Sequence, residues 1–286
     1  MKPPPSPMQD ALLAHEPFIR LLAFAGLFAV LAVFEAVAPR RKQAIGRGRR
    51  WPGNIGVVIL DTVLLRILFP TAAVGLALVA QAHGFGLLNV TALPGWIAVA
   101  AAVIALDLAI YLQHVLFHAV PALWRLHRMH HADLELDATT GVRFHPVEVL
   151  LSMLIKLAVV AAIGAPAIAV LIFEVLLNAT SMFNHANVRI PSRIDRVLRW
   201  LVDTPDMHRV HHSVEPRETN SNFGFNLPWW DRLFGTYKAQ PAAGHDAMAI
   251  GIDTFRDPRE LRLDRMLVQP LRGDTGGYPL GSREKP

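Results

Sequence analysis

The chain has 286 residues, of which 52% are apolar and only 18% carry a charge. Soluble domains carry about 25% charged residues, so this balance favours a protein that is partly surrounded by lipid. The net charge is +5 and no cysteine is present. Disulfides, thiolate zinc sites, iron–sulfur clusters and cysteine nucleophiles are therefore excluded, and any metal chemistry must use histidine, aspartate or glutamate.

The N-terminal part is predicted to contain two membrane helices. Residues 1–17 are expected to form a flexible tail, because the segment begins with several prolines and lacks the features of a cleaved signal peptide. Apolar runs follow at about residues 18–38 and 55–80, and each is long enough to cross a bilayer. Residues 18–96 are therefore predicted to form an N-terminal transmembrane region with a basic cytoplasmic loop.

Charge bias predicts how these helices are oriented. Six basic residues lie between the first two apolar runs, namely Arg40, Arg41, Lys42, Arg47, Arg49 and Arg50. The connection at 81–94 has no Lys or Arg, so the basic loop is predicted to be cytoplasmic. A third apolar run, about residues 96–113, then returns the chain to that side. Trp51 is the only aromatic residue beside the basic cluster, so nucleic acid is not an expected partner.

A long apolar run at residues 147–183 is interrupted near its middle by Gly164-Ala165-Pro166. Each half has about 17 residues, or roughly 25 Å of helix, which is a little short of a full crossing. Histidines lie on both sides of the run. A hairpin that enters the membrane and returns would bring them together, whereas one long kinked helix would separate them. We predict the hairpin.

Histidines cluster after the third run and after the hairpin. On a helix, positions i, i+3 and i+4 share one face, so each H-x-x-H-H pattern is predicted to present three imidazoles to a common point. The candidate metal ligands in these clusters are His114, His118, His127, His130, His131, His208, His211 and His212. Each buried ring nitrogen needs a partner, and eight imidazoles exceed what one cation binds. The pattern therefore predicts two metal ions.

Four further residues join the candidate site. His145 and His185 flank the predicted hairpin and are predicted metal ligands. Asp107 and Tyr111 precede His114 on one helix face and are the candidate catalytic residues. We expect Asp107 to orient an imidazole by accepting its free N–H; the alternative is a buried aspartate that another helix satisfies.

Several competing chemistries lack their sequence motifs. No H-E-x-x-H, E-x-x-H, G-x-S-x-G or phosphate-binding loop occurs. The sequence therefore disfavours zincin-type proteases, carboxylate-bridged di-iron bundles, serine hydrolases and P-loop nucleotide enzymes.

The histidine motifs occur in a characteristic order with characteristic neighbours. They are D-x-x-x-Y-x-x-H-x-x-x-H at 107–118, LWRLHRMHH at 123–131, RFHP at 143–146, NHAN at 184–187, TPDMHRVHHS at 204–213 and WDRLFGT at 230–236. Over about residues 100–238 the sequence resembles the fatty acid hydroxylase/sterol desaturase superfamily of integral membrane non-haem di-iron oxygenases. One departure is Ser181, where some relatives have another histidine. Either His145 fills that coordination place or the metal keeps an open position.

The resemblance implies a cytosol-facing site with two ferrous ions that activates dioxygen and hydroxylates or desaturates a lipid or sterol-like substrate. Zinc is a possible substitute in a purified sample. The resemblance also implies an external electron carrier, of the ferredoxin or cytochrome type, with its reductase. Basic residues that could dock such a carrier, or contact lipid head groups, are Arg125, Arg128, Arg143, Arg209 and Arg217. Candidates for lining a lateral substrate entry are Phe117, Met153 and Met182.

The predicted fold is all-α: a multi-pass transmembrane helical bundle of about three spans plus a helical hairpin, with a cytoplasmic helical cap that holds a histidine-ligated dimetal site. Residues 97–238 form the predicted catalytic domain and residues 239–286 a C-terminal polar tail. The expected location is a bacterial inner membrane. The alternative is a catalytically silent, histidine-rich membrane protein for metal binding or transport.

Overall fold

The computed structural model describes residues 7–70 and 72–280, and every regular element among them is a helix. The helices are α1 Pro7–Ala14, α2 Glu16–Val37, α3 Arg47–Leu68, α4 Ala72–His83, α5 Leu87–Val90, α6 Gly95–Ala119, α7 Pro121–His131, α8 Pro146–Ile163, α9 Ala167–His185, α10 Ser192–Leu198, α11 Pro205–His211, α12 Pro216–Thr219, α13 Trp229–Leu233, α14 Gly244–Ala247 and α15 Leu263–Val268. Three short 3-10 helices lie at Thr140–Val142, Pro258–Leu261 and Gln269–Leu271. The predicted all-α class is confirmed.

Five segments are long and apolar enough to cross a membrane. They are Glu16–Val37, Arg47–Val90, Gly95–Ala119, Pro146–Ile163 and Ala167–His185. Their outward side chains are exposed although they are apolar; Ile59 is 60% and Trp96 75% accessible. An apolar surface of this extent fits a lipid neighbour better than water.

The pattern of the second apolar run had predicted one helix, but the structure has two. Helix α3 ends at Leu68, Pro70 follows, and α4 begins at Ala72. Proline removes a backbone donor and restricts the residue before it, which accounts for the break. The number of membrane crossings stays a prediction.

Part of the predicted N-terminal tail is helical. Residues 7–14 form α1, whose first turn contains Asp10 and begins with a proline, and both features favour a helix start. Residues 1–6 of that predicted tail lie outside the described residues. The division into domains stays a prediction.

The predicted hairpin is present. Gly164 ends α8 in the left-handed conformation, with φ of 62°, and α9 begins three residues later. The turn lies against the 84–86 loop, because a Cβ on Gly164 would come within 2.9 Å of the Phe85 carbonyl oxygen. Since the chain reverses here, the start of α8 and the end of α9 lie at the same end of the bundle. The alternative of one long kinked helix is wrong.

The helices of the bundle core pack closely through small residues. Ala73 and Ala77 of α4, Ala102 of α6 and Ala169 of α9 are fully buried in one cluster. Small side chains let helix backbones approach each other where lipid provides no hydrophobic driving force. This core fixes the relative positions of α6, α8 and α9, which carry part of the histidine site.

The C-terminal segment packs against the bundle rather than extending from it. The Tyr278 ring stacks on Trp124 of α7, with centroids 5.4 Å apart. Arg128, also on α7, donates to backbone carbonyls of Gln269, Arg272 and Asp274. Within the described residues, the region after 238 therefore acts as a strap that holds α7 in place.

Candidate metal centre

Nine of the ten predicted histidine ligands converge into two groups. The five-histidine group contains His114, His118, His127, His131 and His211, and the four-histidine group contains His130, His185, His208 and His212. Within each group, one nitrogen per ring lies within 4.8 Å of all the others. The groups are adjacent, because the rings of His131 and His212 stack with centroids 4.4 Å apart. All nine side chains are buried.

Each H-x-x-H-H pattern is divided between the two groups, rather than pointing to one place as predicted. On α7, His127 and His131 join one group while His130 joins the other. An α-helix turns about 100° per residue, so position i+4 lies roughly 40° from position i, and position i+3 roughly 60° away in the opposite sense. The i and i+4 rings therefore pair, and the i+3 ring serves the neighbouring group. The pattern on α11 divides in the same way.

Backbone carbonyls fix the outer nitrogen of four rings. The Nδ1 atoms of His114, His130, His185 and His211 lie 2.8, 3.2, 2.7 and 2.7 Å from the carbonyl oxygens of Phe223, Arg143, Ser181 and Ser221, respectively. A carbonyl oxygen only accepts, so each Nδ1 carries the proton and each Nε2 presents a lone pair.

These lone pairs face one another at short range. The Nε2 atoms of His130 and His185 are 3.1 Å apart, and both rings have Nδ1 protonated, so no proton lies between them. Two lone pairs at this distance repel unless a cation binds both. The donor set thus fits a metal ion.

Two carboxylates support the rings from outside. Glu148 Oε1 lies 2.6 Å from His127 Nδ1, and Asp203 Oδ2 lies 2.9 Å from His208 Nδ1. The Glu148 carboxylate is hydrogen-bonded to His127, so it fixes the tautomer and makes that ring a stronger ligand. Asp203 is only a charged neighbour of His208, whose Nδ1 makes no hydrogen bond. Sequence reasoning missed both residues, because each reaches its histidine only through the fold.

Burial keeps the imidazoles uncharged. It lowers the pKa of His127 to about 3. Burial, reinforced by neighbouring imidazoles, also holds the pKa values of His130, His131, His208, His211 and His212 well below the ordinary range. Neutral imidazole is the form that binds metal, so the site is ready to take cations at neutral pH.

Comparison with known proteins gives a family match over the histidine region. Residues 99–236 match the fatty acid hydroxylase family. Over these residues the chain is similar to that family. The ornithine lipid hydroxylase OlsE of Rhizobium tropici is 31% identical over 135 residues, which are 47% of this chain and 40% of OlsE. No solved structure matches the chain.

Two other relatives carry lipid and sterol names. Alkylglycerol monooxygenase of Xenopus tropicalis is 25% identical over 170 residues, 58% of this chain and 36% of that protein. Cholesterol 25-hydroxylase of Rattus norvegicus is 26% identical over 138 residues, 47% of this chain and 45% of that protein. The chain thus spans less than half the length of each of these three relatives.

His145 is the one predicted ligand that the structure does not bring into either group. It caps the start of α8, where its Nδ1 accepts a hydrogen bond from the Val147 backbone N–H. Its Nε2 lies 3.2 Å from the carbonyl oxygen of Leu267 in the strap. Because both ring nitrogens are engaged, His145 has no free nitrogen to offer to a metal ion in this structure. Ser181, which stands where some relatives have another histidine, donates its hydroxyl to the Gly141 carbonyl.

The side chains of Asp107 and Tyr111 contact the segment that follows α12, and not an imidazole. Asp107 Oδ2 accepts from Trp230 Nε1 at 2.8 Å, which corresponds to the alternative expected for a buried aspartate. The Tyr111 hydroxyl lies 2.8 Å from the Thr236 hydroxyl, which donates to Asp231. Their catalytic role stays a prediction.

Asp231 links this segment to the metal site, because it accepts from the backbone N–H of Phe223, whose carbonyl orients His114.

Three of the five arginines predicted to dock a partner are buried. Arg128, Arg143 and Arg209 are at most 1% exposed, and Arg143 donates to the Met129 carbonyl of α7. Only Arg125 and Arg217 of that set remain accessible. The predicted basic docking surface is therefore not formed by these five residues together.

Arg50 has a structural role that its place in the basic loop concealed. It is fully buried and pairs with Asp133 at 2.8 Å and with Asp137 at 2.5 Å. Asp133 follows α7 directly, so this buried network ties α3 to the end of the helix that carries three ligands. Removing one partner of a buried ion pair is strongly destabilising.

A cavity of about 540 Å³ reaches the five-histidine group from between α2, α3, α6, α8 and α9. His114 and His127 line it, and Phe117 and Met153 line it as predicted. Met182 does not; it packs in a separate cluster with Leu31. The cavity thus connects the five-histidine group with the space between the long apolar helices.

Proposed function

We propose that this protein is a membrane-bound non-haem di-iron oxygenase that hydroxylates or desaturates a lipid or sterol-like substrate. It would use dioxygen and electrons from a separate carrier of the ferredoxin or cytochrome type. The single observation that carries the proposal is the pair of buried histidine groups. Within a group, ring nitrogens such as those of His130 and His185 direct lone pairs at each other with no proton between them. The names of the relatives, which include a lipid hydroxylase and a sterol hydroxylase, support the substrate class.

The residues present fit two iron ions. Imidazole suits iron, and nine histidines divide into two sets of five and four. Bound there, the ions would supply dioxygen activation. Glu148 would hold the ring of His127 in the ligating tautomer, and the charge of Asp203 beside His208 would offset part of the metal charge.

The rest of the site would position the substrate and exclude water. Phe117 and Phe144 lie on the cavity wall beside His127, and the Phe144 ring stacks on His130 at 4.5 Å. An apolar wall keeps bulk water from the reacting C–H bond. Because His114 and His127 both belong to the five-histidine group, that group would face the substrate and the four-histidine group would lie behind it.

The site would face the cytoplasm of a bacterial inner membrane. The basic segment 40–50 lies at the same end of the bundle as the histidines, since the Arg40 N–H donates to the Asn187 carbonyl beside His185. Positive charge beside membrane helices is retained in the cytoplasm, where a reduced carrier is available.

The decisive experiment measures iron and oxygen together. Protein purified without oxygen should bind two iron ions per chain and should consume dioxygen when given a reduced ferredoxin and a lipid extract. His130→Ala and His211→Ala should each lose bound iron and turnover, while His83→Ala, in an exposed part of the chain, should retain both. Full activity in either of the first two variants would overturn the proposal.

The product would show which reaction occurs. A lipid that gains one oxygen indicates hydroxylation, and a lipid that loses two hydrogens indicates desaturation. Comparing the lipids of a deletion strain and its parent would identify the accumulated substrate. Metal binding without oxygen consumption in any lipid extract would instead support a catalytically silent metal-binding protein.

A further inference from the structure

The cavity that reaches His114 and His127 has a line of polar side chains along one wall. Helix α8 is apolar except for Glu148, Ser152 and Lys156, which recur every four residues and all line the cavity. Polar side chains in a membrane-spanning helix are costly and mark functional sites. A cavity for a hydrocarbon alone would not need them.

The opposite wall repeats this pattern. On α9, Glu174, Asn178 and Ser181 lie at positions i, i+4 and i+7 and line the same cavity. The two polar lines meet at the end that is distant from the histidines, where Lys156 Nζ lies 2.9 Å from Glu174 Oε1. The cavity therefore has a polar end in addition to its histidine end.

The polar end has hydrogen-bond donors to spare. Arg20 of α2 also lines the cavity and lies 2.9 Å from the other oxygen of Glu174. Each Glu174 oxygen thus takes one cation, while Lys156 and Arg20 carry three and five N–H donors, respectively. Glu16 also pairs with Arg20, at 3.5 Å, so the two cations and two carboxylates sum to zero charge, and an anion would be held by the remaining N–H donors rather than by net positive charge. A ligand oxygen that carries negative charge fits these donors.

Helix geometry gives the separation of the two ends. Lys156 is eight residues beyond Glu148, the partner of His127, which corresponds to about 12 Å along the axis of α8. Phe24, Ile110 and Met153 supply apolar surface to the same cavity. The arrangement suits a chain with a head group at one end.

We propose that Lys156 and Arg20 bind the anionic oxygen head group, a carboxylate or a phosphate, of an amphiphilic substrate whose hydrocarbon chain runs towards His114 and His127. This inference rests on the proposed function for the word substrate, but the binding itself does not require turnover. It places the carbon nearest the histidines about 12 Å from the head group, rather than next to it.

Binding of simple probes to the purified full-length protein tests the proposal. Dodecanoate and dodecyl phosphate supply the two anionic heads, and dodecylamine has the same chain with a cationic head. The thermal midpoint, titrated with each probe in one detergent, gives an apparent Kd. We expect the anionic probes to stabilise the protein and dodecylamine not to do so. Whichever anion binds more tightly identifies the head group.

Variants separate recognition from a purely structural ion pair. Lys156→Met should raise the apparent Kd for the anionic probe about ten- to hundredfold, because a hydrogen bond to a charged group is lost. Lys156→Arg should retain binding, and Lys42→Met, at an exposed lysine, should match the wild type. If Lys156→Met does not fold, Lys156→Gln replaces it. A structural role alone would lower the midpoint without changing its dependence on the probe.

Equal binding of dodecanoate by the wild type and a folded Lys156→Met variant would overturn the inference, as would equal binding of dodecylamine. Neither result bears on iron or oxygen, so the proposed oxygenase function would stand. Conversely, anion binding that depends on Lys156 in a protein without oxygen consumption would overturn the oxygenase function and leave a lipid-binding site.

Discussion

Several of the proposed ligands depend on a residue that fixes the ring nitrogen directed away from the group. His118 Nδ1 lies 3.1 Å from the side-chain oxygen of Asn220, and Asn220 in turn donates to the Tyr278 carbonyl of the strap. A ring held in this way needs little reorganisation to bind a cation. By contrast, the ring of His145 is held with both nitrogens occupied by backbone groups.

This difference predicts the metal content of two otherwise identical substitutions. His118→Ala should lower the bound metal, because it removes a ligand from the five-histidine group. His145→Ala should leave the metal content unchanged and lower only the stability of the α8 start, by about 1 kcal/mol for a lost cap. Metal analysis by mass spectrometry after gel filtration checks both. Equal metal loss in the two variants would show that His145 is a ligand.

A second residue-scale prediction concerns His245, which is 7% exposed. Burial lowers its pKa to about 4, below the ordinary value of about 6.5, so the unfolded chain takes up its proton first as the pH falls. The stabilisation is therefore complete above about pH 6.5 and declines towards pH 4, by at most about 1.4 kcal/mol per pH unit.

Thermal unfolding at pH 7.5 and pH 5.0 measures the effect. His245→Gln should lose less stability than the wild type between these two values, and His83→Gln is the control because His83 is exposed. The metal-group histidines contribute equally to all three proteins. Parallel losses in the wild type and His245→Gln would contradict the prediction.

Eight of the nine histidines in the two groups could be predicted because their spacing is local, four residues apart or in H-x-x-H-H; His185 was predicted from its place beside the hairpin. It could not predict that Glu148 and Asp203 serve the rings, since these contacts join residues that meet only in the folded chain. His145 resembled His185 because both flank the hairpin. Only the contacts of His145 with Val147 and Leu267 show that it caps a helix, and the sequence spacing does not reveal those contacts.

Among the elements, the hairpin turn has a geometry that restricts the choice of residue. Gly164 has a positive φ, and a Cβ there would lie 2.8 Å from the Asn89 side chain and 2.9 Å from backbone atoms of the 85–86 loop. Because α8 and α9 both lead back to the histidines, this turn controls how they meet.

Gly164→Ala should destabilise the protein by about 1–3 kcal/mol, the cost of a non-glycine residue in this conformation, with further loss from the close contacts. Gly95→Ala is the matched control, since nothing lies within 4 Å of its added Cβ. The thermal midpoints of the two variants in the same detergent test this. A midpoint for Gly164→Ala at or above that of Gly95→Ala would contradict the turn geometry.

At the same scale, apolar runs predicted most membrane segments, because length and composition define them. They did not predict the strap, since residues after 238 are rich in proline, glycine and charge and show no periodicity. Tyr278 is ordered by Trp124, and Gln269 by Arg128, so the order comes from partners more than 100 residues earlier in the chain.

For the whole molecule, orientation across the membrane is the prediction with the widest consequence. The absence of native cysteine makes single labels unambiguous. Val90→Cys, at a position 72% exposed, should react in intact spheroplasts with a maleimide that cannot cross membranes. Lys42→Cys should react only after the membrane is permeabilised. The reverse pattern would place the histidine groups outside the cell.

The division of each H-x-x-H-H pattern makes the two proposed metal positions interdependent. Helices α7 and α11 each supply both groups, so loosening either helix weakens both positions at once. A protein holding a single ion should therefore be scarce at equilibrium: loading ought to be cooperative, and a chelator should strip the ions nearly together rather than one after the other.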